Sequence, residues 1–128
     1  MAVVSGTVWS VHTTRSDAIH DLQEAEVLFT VSGTYVQAEN GILSGVPTLI
    51  QNSRRNGKTV TMRYVMASTP AQSAVTPTTI LGLKTVAISS SDVTFEITDN
   101  DYSTEYANAT ALPAQLRPFA IKVAFTEA

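Results

Sequence analysis

The imidazoles and carboxylates near the start of the chain are the first groups that could do acid–base chemistry. His12 and His20 are the only two histidines, and Asp17, Asp21 and Glu24 lie close to the second of them. A general acid or base needs a pocket and a reacting partner as well as a neighbour. Ile19, Leu22 and Ala25 predict a short helical turn here, with an acidic loop as the alternative. On such a turn His20 and Glu24 are four apart, an ordinary exposed pair. No catalytic role is assigned to either histidine.

The run Asp99-Asn100-Asp101-Tyr102-Ser103-Thr104-Glu105 carries oxygen side chains at 99, 101, 103 and 105, like the early ligands of a calcium loop. Thr104 stands where such a loop needs Gly, and Thr110 where it needs a bidentate Glu. The run is therefore read as a solvated acidic loop with no metal site. Arg54-Arg55-Asn56-Gly57-Lys58 is the basic cluster, able to grip a phosphate or an acidic partner. The simpler reading puts these charges at the carbonyl end of a helix, where the dipole favours them. No G-x-S-x-G, H-E-x-x-H, Walker A or G-x-G-x-x-G pattern occurs. The expectation is a non-enzyme with no catalytic, cofactor-binding or metal-binding residues, and no cofactor. Asn108-Ala109-Thr110 is formally a glycosylation sequon, which matters only in a secreted chain.

The elements that hold these residues are mostly strands. The chain has 128 residues, 44% hydrophobic and 15% charged, a net charge of −3 and no cysteine. That length is one domain, residues 1–128, with one core. Charge is below the usual ~25%, and Ser plus Thr make up roughly a quarter of the chain, a composition of sheets and turns. The negative balance argues against nucleic acid, which needs a basic face. No apolar run is long enough to cross a bilayer, so no membrane is expected. The N-terminus lacks the pattern of a signal peptide, and the absence of cysteine suits cytosolic synthesis.

Val4, Val8 and Val11, with Trp9 between them, open a β-rich stretch whose alternation is imperfect, with Gly6 as a candidate bulge. Val27, Phe29 and Val31 mark a strand from Glu26. Thr34-Tyr35-Val36 resumes extended structure before the Asn40-Gly41 turn. One helix is predicted over residues 45–56, with Pro47 in its first turn, Val46, Leu49, Ile50 and Ser53 at helical spacing, and Asn56-Gly57 stopping it. From Lys58 the period is two, placing Val60, Met62, Tyr64 and Met66 on one face. Ile80–Ile88 and Val93–Thr98 form a hairpin across residues 89–92. Phe119, Ile121, Val123 and Phe125 alternate in a C-terminal strand whose edge is free to pair with a neighbour. Residues 68–79 and 99–118 are read as two long exposed connections. The fold class is mainly β, a β-sandwich or small barrel-like sheet with one short helix, with α+β as the alternative.

The stretch from Tyr35-Val36-Gln37-Ala38 to Asn56-Gly57-Lys58-Thr59-Val60-Thr61-Met62, the Pro/Ala/Thr loop after it, and the Pro118-Phe119-Ala120-Ile121 ending resemble small β-rich virion proteins of tailed bacteriophages. The type is the capsid decoration, or cement, protein, and the likeness lies in size, Ser/Thr/Ala richness, lack of Cys and extended loops. The resemblance implies a protein that binds the outer surface of an assembled capsid and stabilises the shell against genome pressure. Its partners would be the major capsid protein and further copies of itself in a homo-oligomer, a trimer in the first instance. Its place would be the virion, assembled in the host cytoplasm. The alternatives are a phage tail or neck component, and a bacterial adhesin or carbohydrate-binding module presenting Trp9, Tyr35, Tyr64, Tyr102 or Tyr106. Most of these aromatics lie in strand patterns and are expected in the core; Tyr102 and Tyr106 lie in a loop.

Overall fold

Strict alternation shows best between Leu22 and Ser32. There Gln23, Ala25, Val27, Phe29 and Val31 are buried and the residues between them half-buried. A computed structural model describes residues 5–17, 22–37, 39, 41–69, 71–73, 80–99 and 104–128. It is mainly β with one short helix. In chain order the strands are β1 (Ser5–Asp17), β2 (Leu22–Ser32), β3 (Thr34–Tyr35) and β4 (Gly41–Leu43), then helix α1 (Val46–Arg54). After it come β5 (Val60–Thr69), β6 (Ala71–Ser73), β7 (Ile80–Ile88), β8 (Val93–Thr98), β9 (Thr110–Ala111), β10 (Gln115–Arg117) and β11 (Phe119–Glu127). Nine strands form one sheet in the order β10-β6-β7-β8-β4-β1-β2-β11-β5, and β3 pairs with β9 apart from it. Its β10-β6-β7 part curls into a half-barrel, in keeping with the barrel-like alternative expected above.

Two departures from the sequence reading come from β-bulges, and a third from the pairing of β1 with β2. β1 pairs antiparallel with β2 from Ser5 opposite Ser32 to Asp17 opposite Leu22, with register shifts between Val8 and Ser10 and between Thr13 and Arg15. The extra residues are Trp9 and Thr14, not Gly6. Each bulge shifts which residues face inward, and so breaks the alternation in this stretch. Gly6 answers a different need: a Cβ there would come within 2.7 Å of the Leu43 side chain. The pairing also replaces the expected helical turn, since Asp17 closes β1 while Leu22 and Ala25 lie on β2. On β5, Tyr64 faces Ala124 and Met62 faces Phe125, leaving Arg63 as the bulged residue. Val60 and Met62 point into the core, but Tyr64 is thrown outward, 46% exposed, and Val65 packs inward instead.

β11 is the other correction. It lies between β2 and β5, so its edges are both used; the ends of the sheet are β10 and β5. Phe119, Ile121, Val123 and Phe125 are buried, and so are Ala120 and Ala124. Small alanines suit a strand covered by neighbours on both sides. Around it Phe29 packs on Phe95 and Phe119, each at 5.5 Å between ring centroids. Tyr35, Leu43 and Ile97 extend the same cluster.

The two long connections are more structured than their composition suggests. β5 runs on to Thr69 and β6 follows at Ala71, while residues 74–79 lie outside the described residues. The second connection contains β9 and β10, and Glu105 bridges Thr98.

Helix α1 buries Val46 and Ile50 and packs against β1 and β5. Pro47 sits in its first turn, where the missing N–H costs nothing. Its start is tied to the turn after β7: the Val46 N–H donates to Ser91 O at 3.0 Å and the Gly45 N–H to Asp92 Oδ1 at 3.2 Å. The helix ends at Arg54, two residues short of the expected 56 and ahead of the Asn56-Gly57 signal. Arg55 takes the left-handed conformation at φ 54°, its N–H donating to Gln51 O at 2.9 Å. The Cβ of an L residue is strained there by about 1–2 kcal/mol. Replacing Arg55 with Gly should therefore raise stability by about 0.5–1 kcal/mol, less any gain in unfolded-chain freedom. Urea unfolding of the variant measures it.

Candidate functional site

Two buried ionisable groups, Glu127 and Tyr35, are engaged by distant parts of the chain, whereas Glu39 keeps one buried carboxylate oxygen, Oε2, without a hydrogen-bond partner. Glu127 extends the inward face of β11, two residues beyond Phe125, and is 8% exposed. Arg54, at the end of α1, grips it from two nitrogens: Nη2 donates to Oε1 at 2.9 Å and Nε to Oε2 at 3.2 Å. Asn56 Nδ2 donates to Oε2 at 2.8 Å, and Gln23 Nε2 on β2 donates to Oε1. Arg54 also reaches Thr13 Oγ1 on β1 at 3.4 Å. The Arg54 contact, helped by Asn56 and Gln23, holds the Glu127 carboxyl down at about 2 against the opposing effect of burial. Beside it the backbones of Thr59 and Ala128 exchange two hydrogen bonds. This cluster fastens helix, β1, β2 and the chain's last strand together.

At the other end of β2, Tyr35 plays the matching part. Its O–H donates to Glu105 Oε2 at 2.6 Å, and the Ile97 N–H donates to the phenol oxygen at 3.2 Å. Burial, then the bond to Glu105, pushes the phenol well above its usual range. Tyr106 packs edge-on against Tyr35 at 6.1 Å, and its own phenol is raised by burial and by Asp99. Gln37 clasps the same loop through Asn108 Oδ1 and Tyr106 O. Tyr35→Phe would leave the Glu105 carboxylate and the Ile97 N–H short of a partner. It should cost about 1–3 kcal/mol, measured by chemical denaturation, with β-sheet content unchanged by circular dichroism.

The residues singled out from the sequence are thus scattered. Glu24 lies on β2, 3.7 Å from Lys122 Nζ, rather than on a helix with His20. His12 stands opposite Glu26 in the β1–β2 ladder. His20, Asp21, Asp101, Tyr102 and Ser103 lie outside the described residues. Asp99 is exposed, while Glu105 turns inward to Tyr35. Among the described residues no group of three or more His, Cys, Asp and Glu could hold a metal ion. Arg54 neither caps its helix alone nor stays in water, but pairs with Glu127; Arg55 and Lys58 remain exposed. Tyr35 is in the core, Tyr106 is half-buried, and Tyr64 stands out on β5.

The feature turned outward is the β10 end of the sheet. Leu116 is 55% exposed there. Next to it a cleft of about 290 Å³ is lined by Ala71, Gln72, Ile80 and Arg117. Two apolar residues, Ala71 and Ile80, and two polar ones, Gln72 and Arg117, suit an incoming side chain. Those four residues include no nucleophile or carboxylate for covalent or acid–base chemistry. Gln115 anchors the strand: its Oε1 accepts the Val31 N–H at 2.7 Å and its Nε2 donates to Pro113 O. The sequence reading missed this edge because it placed β10 inside a loop; a three-residue strand leaves too short a pattern to detect.

No protein-family model, curated protein or solved structure matches this chain.

Proposed function

We propose that this chain is a structural virion protein, a capsid decoration protein that binds the outer surface of the shell and stabilises it. The observation that carries the reading is the β10 end of the sheet. It presents an exposed leucine, a small cleft and the terminal strand of the sheet, while Glu127 and Tyr35 are spent on internal ties. A terminal strand with an apolar side chain is a natural place for another chain to add on. The sparsely charged, hydroxyl-rich composition supports the same reading, because such a surface is cheap to desolvate against protein. Repetition over a symmetric shell multiplies weak contacts of this kind into firm attachment. The partners on this reading are the major capsid protein and other copies of the chain, with a trimer as the working stoichiometry.

Leu116→Asp tests the contact. It should abolish capsid binding while moving the melting temperature by no more than a few degrees, since exposed positions contribute little to stability. Unchanged capsid binding by the folded variant would remove the β10 edge from the account. Tyr64 supports a second reading, a carbohydrate-binding module, because an exposed aromatic ring can stack on a sugar face. Retention on immobilised polysaccharide, lost in Tyr64→Ala, would favour it.

A further inference from the structure

Two Asn–Gly pairs occur in the chain, at 40–41 and 56–57, and their glycines sit very differently. Gly41 is buried in β4, where a Cβ would overlap the Phe95 ring, and it is locked in register opposite Phe95. Gly57 lies in the turn between α1 and β5 at φ 74°, exposed, with open space around its Cα. Asn56 beside it is also exposed, and its side chain is held at both ends. Nδ2 donates to Glu127 Oε2 at 2.8 Å, and Oδ1 accepts the Lys58 N–H at 3.2 Å.

We infer that Asn56 is a site of spontaneous deamidation, and that its conversion loosens the tie holding the end of β11. Glycine places no side chain in the way of its own nitrogen and leaves the backbone free to rotate. The Lys58 N–H polarises the Cγ carbonyl that must receive the attack. The deprotonated Gly57 nitrogen forms a bond to Asn56 Cγ, the Cγ–Nδ2 bond breaks, and Nδ2 leaves as ammonia with the proton. Water then opens the resulting succinimide at either carbonyl, giving aspartate or isoaspartate. No electrons are transferred.

The consequence follows from what Nδ2 was doing. A donor to the Glu127 carboxylate becomes a second carboxylate beside it, and like charges at this range disfavour each other. Arg54 must then serve both. The isoaspartate product also adds a methylene to the backbone between α1 and β5. The molecule would thereby carry a clock, its C-terminal fastening weakening with age.

Holding the folded protein in mildly alkaline buffer and mapping its peptides by mass tests this directly. Position 56 should gain one mass unit several-fold faster than any other asparagine. The converted fraction should melt lower and exchange the amides of residues 125–128 faster than fresh protein. Asn56→Asp, which installs one product outright, should reproduce the lower melting point. The inference is overturned if another asparagine converts first, or if Asn56 converts only in urea. It is equally overturned if converted molecules match fresh ones in melting and exchange.

Discussion

Val123→Asp should leave the chain unable to fold. Val123 is fully buried in β11, opposite Ala25 on β2 and Val65 on β5, at the middle of the three-strand unit. An aspartate there has no cation to meet, so it must stay charged without a partner or take up a proton at a comparable cost. A buried unpaired charge costs about 3–5 kcal/mol, and the lost valine packing adds roughly 1–2 kcal/mol. Together these approach the whole stability of an ordinary domain, about 5–15 kcal/mol. The variant should be insoluble or show no cooperative melting by circular dichroism. Lys122→Gln, on the exposed face one residue away, should melt within a few degrees of wild type. A well-folded Val123→Asp protein would mean that β11 does not lie inside the sheet.

The second large effect concerns Glu127 and has a pH signature. Its carboxyl is held at about 2 in the folded protein, against 4.5 when free. The unfolded chain therefore binds the proton more readily than the folded one. The stabilisation is complete above the unfolded value and is lost as pH falls from about 4.5 towards about 2. Glu127→Gln removes the charge and leaves Arg54 facing a neutral amide. Because the Arg54 side chain keeps 26% of its exposure, water offsets part of the loss. About 2–3 kcal/mol is expected at neutral pH, below the full value for breaking a buried pair. Urea midpoints measured across the acid range should converge for wild type and variant near pH 2. Parallel curves, equally spaced at every pH, would contradict the assignment of the acid limb to Glu127.

Where local pattern decided the structure, the sequence could be read. The alternation of β2 from Val27 to Val31, of β8 from Val93 to Ile97 and of β11 from Phe119 to Phe125 each placed a buried face correctly. Pro47 and the Val46–Ile50 spacing located the helix. Bulges hid the rest: Trp9, Thr14 and Arg63 are each one extra residue against a partner strand, and nothing local announces a partner. Tyr64 was placed in the core for that reason alone. The order of strands, which puts β11 in the interior and β10 at the end, depends on pairings between residues far apart in the chain. Glu127 continues the face of Phe125, but the alternation read from the sequence ended at Phe125. Its pairing with Arg54, 73 residues earlier, was not legible either. Tyr35 and Glu105 likewise meet across 70 residues, joining a strand to what had been read as an open acidic loop.

The proposal that this chain is a repeated subunit on a shell is tested most directly by co-sedimentation with assembled tailed-phage capsids lacking their decoration protein, over a range of mixing ratios. The protein should pellet with the capsids and saturate at a fixed ratio to the major capsid protein. The fraction bound should rise steeply with concentration, as symmetric multivalent contact requires. Protein that stays in the supernatant at every ratio, as a monomer, would contradict it.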